Sequence, residues 1–342
     1  MKYCNDIFKI YFFNLIIFCN AMEKITTLPI IEEITVVKNP CAVRYCSKNR
    51  VAVGGSDGCT IIDLKTKKHT KLFTNNIMNI EIIPASKNNQ EMVAYQERDD
   101  NKIKSFTCNP HDNTFFSCYG DTKLAIRKQN YITNSYKYIP VEGSFCQYMT
   151  IHPNEKTACI ADYECRLSFY ELDNLQSPLK TMEFSLDTCW FFCRYSRDGS
   201  YIVAGDSNKV FIIDPHSNCD KKLYLQFGQE LLRNIAFHPN NSVVAILSKT
   251  NSSIKKKQIV RYFDIKMKQF IDTPLEYEAD ESSDLDFSAD GLELIVALED
   301  RCVRTQVLFA IKEKSYFWWV LKQLKEKEDL PQDVINYLLK TF

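Results

Sequence analysis

Residues 149–171 read Met149-Thr150-Ile151-His152-Pro153-Asn154, then Thr157-Ala158-Cys159-Ile160-Ala161-Asp162-Tyr163-Glu164, then Leu167-Ser168-Phe169-Tyr170-Glu171. Short apolar runs rich in β-branched and aromatic side chains alternate with polar turns carrying Pro, Asn or Asp. That pattern predicts three consecutive strands. One such unit cannot bury both of its faces, so it needs neighbours of its own kind.

The neighbours are in the sequence. Val43-Arg44-Tyr45-Cys46-Ser47-Lys48-Asn49 is followed by residues 50–58 (RVAVGGSDG) and by Cys59-Thr60-Ile61-Ile62-Asp63. Phe192-Cys193-Arg194-Tyr195-Ser196-Arg197-Asp198-Gly199 leads to residues 201–208 (YIVAGDSN) and Val210-Phe211-Ile212-Ile213-Asp214. Ile235-Ala236-Phe237-His238-Pro239-Asn240 leads to residues 243–249 (VVAILSK) and Val260-Arg261-Tyr262-Phe263-Asp264. A fifth copy opens at Leu285-Asp286-Phe287-Ser288-Ala289-Asp290-Gly291 and continues through residues 293–300 (ELIVALED). Aligned on the turn residues Ser47, Pro84, Pro153, Ser196, Pro239 and Ser288, the intervals are 37, 69, 43, 43 and 49 residues. The 69-residue gap holds two units, the second opening at Thr114-Phe115-Phe116-Ser117-Cys118-Tyr119, turning at Gly120–Lys123 and continuing as residues 124–128 (LAIRK). Seven units of about 40 residues, each of four short strands, thus occupy residues 31–311. The expected fold is all-β, a seven-bladed β-propeller of four-stranded blades.

At these residues the chain resembles the WD-repeat family. The Ser/Pro-x-Asp/Asn-Gly turn, the small residues Ala52, Ala161, Ala204, Ala245 and Ala297, and the strand-ending pairs Ile62-Asp63, Tyr170-Glu171, Ile213-Asp214 and Phe263-Asp264 carry the likeness. The family's Gly-His dipeptide is missing, as is the Trp of its Trp-Asp. Asp57, Asp206 and Asp300 are read as organisers of backbone amides in tight turns. The resemblance implies that the loops entering each innermost strand share a face with the loops between second and third strands. That face often binds peptides, and the resemblance places Phe145, Trp190 and Arg233 near its rim. The competing reading of Trp190 is burial between blades.

An open ring would leave unpaired strand edges. The last unit supplies only three strands, near Ser283–Phe287, Glu293–Leu298 and Val303–Ile311, so Ile30–Val37 is expected to pair with residues 303–311 and close the ring. From residue 315 the period becomes helical. Phe317, Val320, Leu321 and Leu324 form one stripe; Val334, Ile335, Leu338, Leu339 and Phe342 form a second after Pro331, predicting a helical hairpin over 315–342. Residues 330–342 (LPQDVINYLLKTF) resemble the opening of an F-box and, less closely, the end of a SOCS box. Leu330, Pro331, Val334, Tyr337 and Leu338 would then recruit a second protein. The alternative is packing on the propeller with Trp318 and Trp319 as anchors. At the other end, Lys2 and Lys9 precede the apolar run Ile10–Cys19, which closes on Cys19-Asn20-Ala21. Residues 1–21 therefore read as a secretory signal that leaves no stable membrane span once removed. Export follows if that signal is real, a cytoplasmic location if translation starts at Met22. An uncleaved anchor is the third reading.

Composition narrows the function. The 342 residues contain 43 Lys+Arg and 43 Asp+Glu, a net charge of zero, so nucleic acid is not an expected partner. The 14 cysteines lie mostly inside apolar runs and read as core packing, even though an exported chain would favour disulfides. Cys189 and Cys193, read as one strand, stand about 13 Å apart on one face and cannot share a metal. His152 and His238 are explained by the repeat. No His-Glu-x-x-His, paired Cys-x-x-Cys or phosphate loop occurs, and the Gly-x-Ser-x-Gly string at Gly54–Gly58 falls in a turn between two strand-like runs, not at a strand-to-helix elbow, so no metal, cofactor or catalysis is expected.

What remains is surface. The insertion Lys249–Lys257, with Lys255, Lys256 and Lys257, lengthens one loop, and Glu97-Arg98-Asp99-Asp100 lengthens another; opposite charges on one face steer a protein or peptide partner. The expectation is a monomeric, non-catalytic protein-interaction scaffold. Its alternatives are a ubiquitin-ligase substrate receptor that recruits through the C-terminal helices and an exported hydrolase of lactonase-like type.

Overall fold

The computed structural model describes residues 30–35, 37–47, 49–74, 77–83, 92–97, 103–109, 114–119, 125–130, 136–140, 146–153, 156–185, 190, 192–217, 222–228, 230–250 and 256–307. Every regular element in them is a strand. β1 (Ile30–Ile34) comes first. Sheet 1 is β2 (Ala42–Ser47), β3 (Arg50–Gly55), β4 (Gly58–Asp63) and β5 (His69–Phe73); sheet 2 is β6 (Ile77–Ile83) and β7 (Met92–Glu97). Sheet 3 is β8 (Ile103–Asn109), β9 (Thr114–Tyr119), β10 (Ala125–Asn130) and β11 (Tyr136–Pro140). Sheet 4 is β12 (Cys146–Ile151), β13 (Thr157–Asp162), β14 (Arg166–Glu171) and β15 (Lys180–Glu183). Sheet 5 is β16 (Phe192–Tyr195), β17 (Ile202–Gly205), β18 (Lys209–Ile213) and β19 (Lys222–Gln226). Sheet 6 is β20 (Glu230–Phe237), β21 (Val243–Thr250), β22 (Lys257–Asp264) and β23 (Gln269–Glu278). Sheet 7 is β24 (Ser282–Phe287), β25 (Glu293–Leu298) and β26 (Cys302–Gln306), completed by β1.

Within each sheet the strands pair in antiparallel order of sequence. The first strands touch in one cycle, β2–β6–β8–β12–β16–β20–β24 and back to β2, so they ring a common axis while later strands lie outward. Most of the core is layered between sheets. Phe192, Val203 and Ile212 of sheet 5 pack on Ile235, Val244 and Phe263 of sheet 6, and Ala245, Val260 and Tyr262 of sheet 6 pack on Leu285, Phe287 and Val296 of sheet 7. Buried second strands such as β13 and β17 have apolar neighbours on both faces, which is why the sequence shows short continuous apolar runs there rather than alternation.

The ring closes as the sequence predicts. β1 pairs antiparallel with β26, Glu32 opposite Arg304 and Ile34 opposite Cys302, and becomes the outer strand of sheet 7. Arg304 fixes this seam, donating from Nε and Nη2 to Glu293 at 2.8 and 3.0 Å and from Nη1 to Glu32 Oε2 at 3.0 Å; Lys67 of sheet 1 also pairs with Glu32.

Two expectations shift. Thr114–Tyr119 is the second strand of sheet 3 and not the first of a unit, because Ile103–Asn109 precedes it and takes the inner position. Among the described residues sheet 2 has two strands where four were expected. The predicted helical hairpin at 315–342 and the signal at 1–21 lie outside the described residues.

A histidine locks neighbouring sheets together at two of the interfaces. His238, ending the first strand of sheet 6, lies against the turn of sheet 7, its Nε2 3.1 Å from Gly291 O while its Nδ1 accepts Asn240 N–H at 3.2 Å. His152 of sheet 4 stands in the same relation to Gly199 of sheet 5, and both glycines have positive φ, 77° and 71°. The strand-ending acids cap the turn that follows. Asp63 Oδ1 accepts the amides of Lys65 and Thr66 (3.0 and 2.7 Å), and Asp264 Oδ1 those of Lys266 and Met267 (2.8 Å each).

Candidate functional site

The first strands share an irregularity at their entrance. β6, β8, β12 and β24 each carry a register shift after their first residue and the longer β20 carries one after its third, which inserts Met78, Lys104, Gln147, Ser283 and Arg233 as extra residues towards one rim of the ring. Bulges re-aim a side chain and raise local twist, and they concentrate at the rims of closed sheets. Gln147 is buried there, and its Oε1 accepts no hydrogen bond among the described residues.

Below that rim, four first strands meet in a polar knot. Asp284 of β24 is 3% exposed. Its Oδ1 accepts from Asn234 Nδ2 of β20 at 2.9 Å and lies 3.5 Å from Arg194 Nη2 of β16. Its Oδ2 pairs with Arg44 of β2 and accepts Val43 N–H at 3.1 Å. One carboxylate thus ties sheets 1, 5, 6 and 7 across the axis. Asp286, two residues on, accepts Tyr45 N–H at 2.8 Å; burial pushes its carboxyl above the usual range against the pull of Arg44.

Above the knot stands the end of sheet 6. Its strands run 8, 8, 8 and 10 residues, longer than those of any other sheet, so β20–β23 extend past their neighbours. That extension gathers charge. Arg233 Nη2 and Lys249 Nζ reach the two oxygens of Glu281 at 2.9 and 2.5 Å, Lys257 Nζ reaches Glu276 at 2.5 Å, and Lys256 Nζ lies 3.6 Å from Asp280. Arg261 and Ser248 hold Glu230, with Arg261 Nη2 at 2.7 Å from Glu230 Oε1 and Ser248 Oγ donating at 2.7 Å.

The structure therefore brings together Arg233, Lys256 and Lys257, three of the cations singled out from the sequence. Their acidic partners were missed because they come from residues 276–281, beyond the loop that supplies the lysines. The run Glu276-Tyr277-Glu278-Ala279-Asp280-Glu281 was the available signal. Trp190 is placed elsewhere. It is 1% exposed, edge-on to Phe184 at 5.2 Å and packed with Leu167, Met182 and Ile202 between sheets 4 and 5. Burial of so large an apolar surface outweighs exposure on the rim, and it is not a surface anchor here. Phe145, Lys255 and the recruitment residues Leu330, Pro331, Val334, Tyr337 and Leu338 lie outside the described residues.

Asp206 Oδ1 does organise its turn, accepting the amides of Asn208 and Lys209 at 2.8 Å each. Asp57 reaches further, to Lys38 N–H at 2.8 Å, and Asp300 instead pairs with the Arg301 side chain. Among the described residues no set of three His, Cys, Asp or Glu is placed to hold a metal, and no helix is long and apolar enough to cross a membrane. Cys159 and Cys193 meet between sheets 4 and 5 with sulfurs 4.0 Å apart, both as free thiols, and burial drives the Cys159 thiol upward; Cys146 is disulfide-bonded.

The crystal structure of the β-propeller domain of Cps50 (Swd1) from Myceliophteria thermophila superposes with a TM-score of 0.65 at 11% identity, covering 82% of this chain and all of that one. The fold is a β-propeller. No family profile and no curated protein sequence matches the chain. In the propeller the sheets are blades, the cycle of first strands lines the central channel, and the Asp284 knot sits inside that channel below the rim formed by the bulges.

Proposed function

We propose that the chain is a non-catalytic protein-interaction scaffold, a seven-bladed WD-repeat-like propeller whose partner-binding surface is the rim crowned by blade 6. The observation that carries this reading is the raised end of β20–β23, where Arg233, Lys249, Lys256 and Lys257 interleave with Glu276, Asp280 and Glu281. Surface pairs of this kind contribute little to stability, about 0–1 kcal/mol each, so so many at one end of one blade are better explained by recognition. A partner bearing both signs of charge would exchange these intramolecular pairs for intermolecular ones, with orientation set by the alternation. The similarity to a propeller domain supports a binding platform as the class of protein.

The test is affinity capture with the wild-type chain and with a variant carrying Arg233→Glu, Lys249→Glu and Lys257→Glu. The variant should lose its partners while keeping the wild-type thermal midpoint within a few degrees. An unchanged set of partners would overturn the assignment of the surface.

A further inference from the structure

Blades 4 and 5 meet at two sulfurs. Cys193 is the second residue of β16, the innermost strand of blade 5, and Cys159 lies in β13, the second strand of blade 4. Their Sγ atoms stand 4.0 Å apart, and both are free thiols. The contact is placed by more than chance packing of two side chains. Within blade 4, Cys159 lies opposite Thr150 of β12. Across the interface, Thr150 Oγ1 accepts Tyr195 N–H at 3.3 Å. Tyr195 is two residues beyond Cys193 and so on the same side of β16, and both belong to the apolar cluster between the two blades. The hydrogen bond and the sulfur contact therefore fix one register between the blades.

A disulfide holds its sulfurs about 2.05 Å apart, so the pair must close by about 2 Å. Turning one side chain about its Cα–Cβ bond to the next staggered position carries its sulfur about 3 Å, a displacement of the size required. The neighbours of the two cysteines on their own sheets are small: Ala161 stands two residues from Cys159, and Ala204 lies opposite Cys193. Folding also gives each thiol an effective concentration towards the other well above that of a thiol free in solution. That favours the intramolecular bond over a mixed disulfide.

The closed fold resists the reaction itself. The thiolate is the attacking species, and burial, followed by the hydrogen bond from Cys193, pushes the Cys159 thiol up. Tyr195, the titratable side chain packed beside them, is likewise pushed up by burial and supplies no base. Cys159 and Cys193 are 0% and 4% exposed, so an oxidant reaches them before the interface seals and hardly afterwards.

We propose that Cys159 and Cys193 are a cross-linking site, joined by a disulfide between blades 4 and 5 when the chain folds in the presence of a low-molecular-weight disulfide such as oxidised glutathione. The thiolate of one cysteine attacks a sulfur of that reagent, which releases one glutathione and leaves a mixed disulfide. The second cysteine attacks the protein sulfur of the mixed disulfide, forming the Cys159–Cys193 bond and releasing a second glutathione. Two electrons pass from the protein thiols to the reagent, and the two protons end on the released glutathiones. The bond is then sealed in the interface, so the redox conditions during folding determine the covalent state of the finished molecule. This inference is independent of the partner surface assigned to blade 6.

The test is cell-free translation of the full-length chain in a buffer of reduced and oxidised glutathione, and in parallel with dithiothreitol. Remaining thiols are alkylated, and the protein is digested and mapped by mass spectrometry without reduction. A peptide pair joined through Cys159 and Cys193 should be the main form of both cysteines in the glutathione sample and absent from the dithiothreitol sample. Recovery of the two as alkylated thiols, as glutathione adducts or joined to other cysteines overturns the site. Thermal denaturation gives a second reading. Cys146 is also disulfide-bonded, so the midpoint difference between the two samples must be compared with that of Cys193→Ala. It should be about 5 °C larger in the wild type, as expected for a loop closed between positions 34 apart. Equal differences in the two proteins overturn the proposal, and the peptide map decides it without any variant if Cys193→Ala does not fold.

Discussion

Gly199 and Gly291 are where single residues decide most. Each has a positive φ and faces the imidazole of the preceding blade so closely that a Cβ would collide with it. Gly199→Ala should therefore destabilise by at least about 2 kcal/mol, the sum of left-handed strain and a displaced ring, read as a lower urea midpoint. His152→Ala in the same background should recover only the part due to collision. The Asp284 knot gives a second outcome. Asp284→Ala strands the Arg44 guanidinium in a buried site and should cost about 3–5 kcal/mol, while adding Arg44→Met should restore much of it. A third concerns pH. Burial holds the His238 imidazole below its usual range, although its bonds to Asn240 and Gly291 pull the other way. A group with a lowered folded value leaves the folded chain binding fewer protons than the unfolded one. The stability it supports is full above the unfolded value near 6.5 and is lost as pH falls through the folded value. The urea midpoint of the wild type should fall more steeply below pH 6.5 than that of His238→Gln.

At the scale of elements, the seam between β1 and β26 rests on Arg304, which joins Glu293 on one side and Glu32 on the other. Arg304→Ala should lower stability by about 1–3 kcal/mol through loss of a paired-oxygen interaction and of the packing of its stem, measurable by thermal denaturation. How much of each element was legible follows from the same chemistry. Blades 4 to 7 and the closing strand could be read because their turns use Pro-Asn or Ser-x-Asp-Gly, residues whose geometry is local. Blades 2 and 3 were misread by one strand because Thr114–Tyr119 has the aromatic composition of a first strand, and composition does not say which edge is inward. That blade 2 holds only two strands among the described residues could not be seen from a reading by period, which averages over the five-residue step between Glu97 and Ile103. The rim was half legible. The cations of residues 255–257 stand in one run, but their pairing with Glu276, Asp280 and Glu281 depends on the length of β22 and β23.

The whole molecule behaves as one cycle. Each blade buries its faces against two neighbours, and the knot at Asp284 couples four of them through a single carboxylate, so unfolding in urea should be one transition followed alike by tryptophan fluorescence and circular dichroism. Removing residues 23–38 opens the seam and bares the edge of β26. That deletion should broaden the transition or split it, and an unchanged curve would show that the seam contributes nothing to cooperativity.

The pairing of Ile34 with Cys302 joins positions 268 residues apart. On a ribosome that adds about 5–20 residues per second, the opening strand waits tens of seconds for its mate to be made. Throughout that interval the nascent chain exposes ungated backbone at both the waiting strand and the growing front. Sealing is thus a late, non-local step, and the cell must shield the half-built arc until its final segment leaves the exit tunnel.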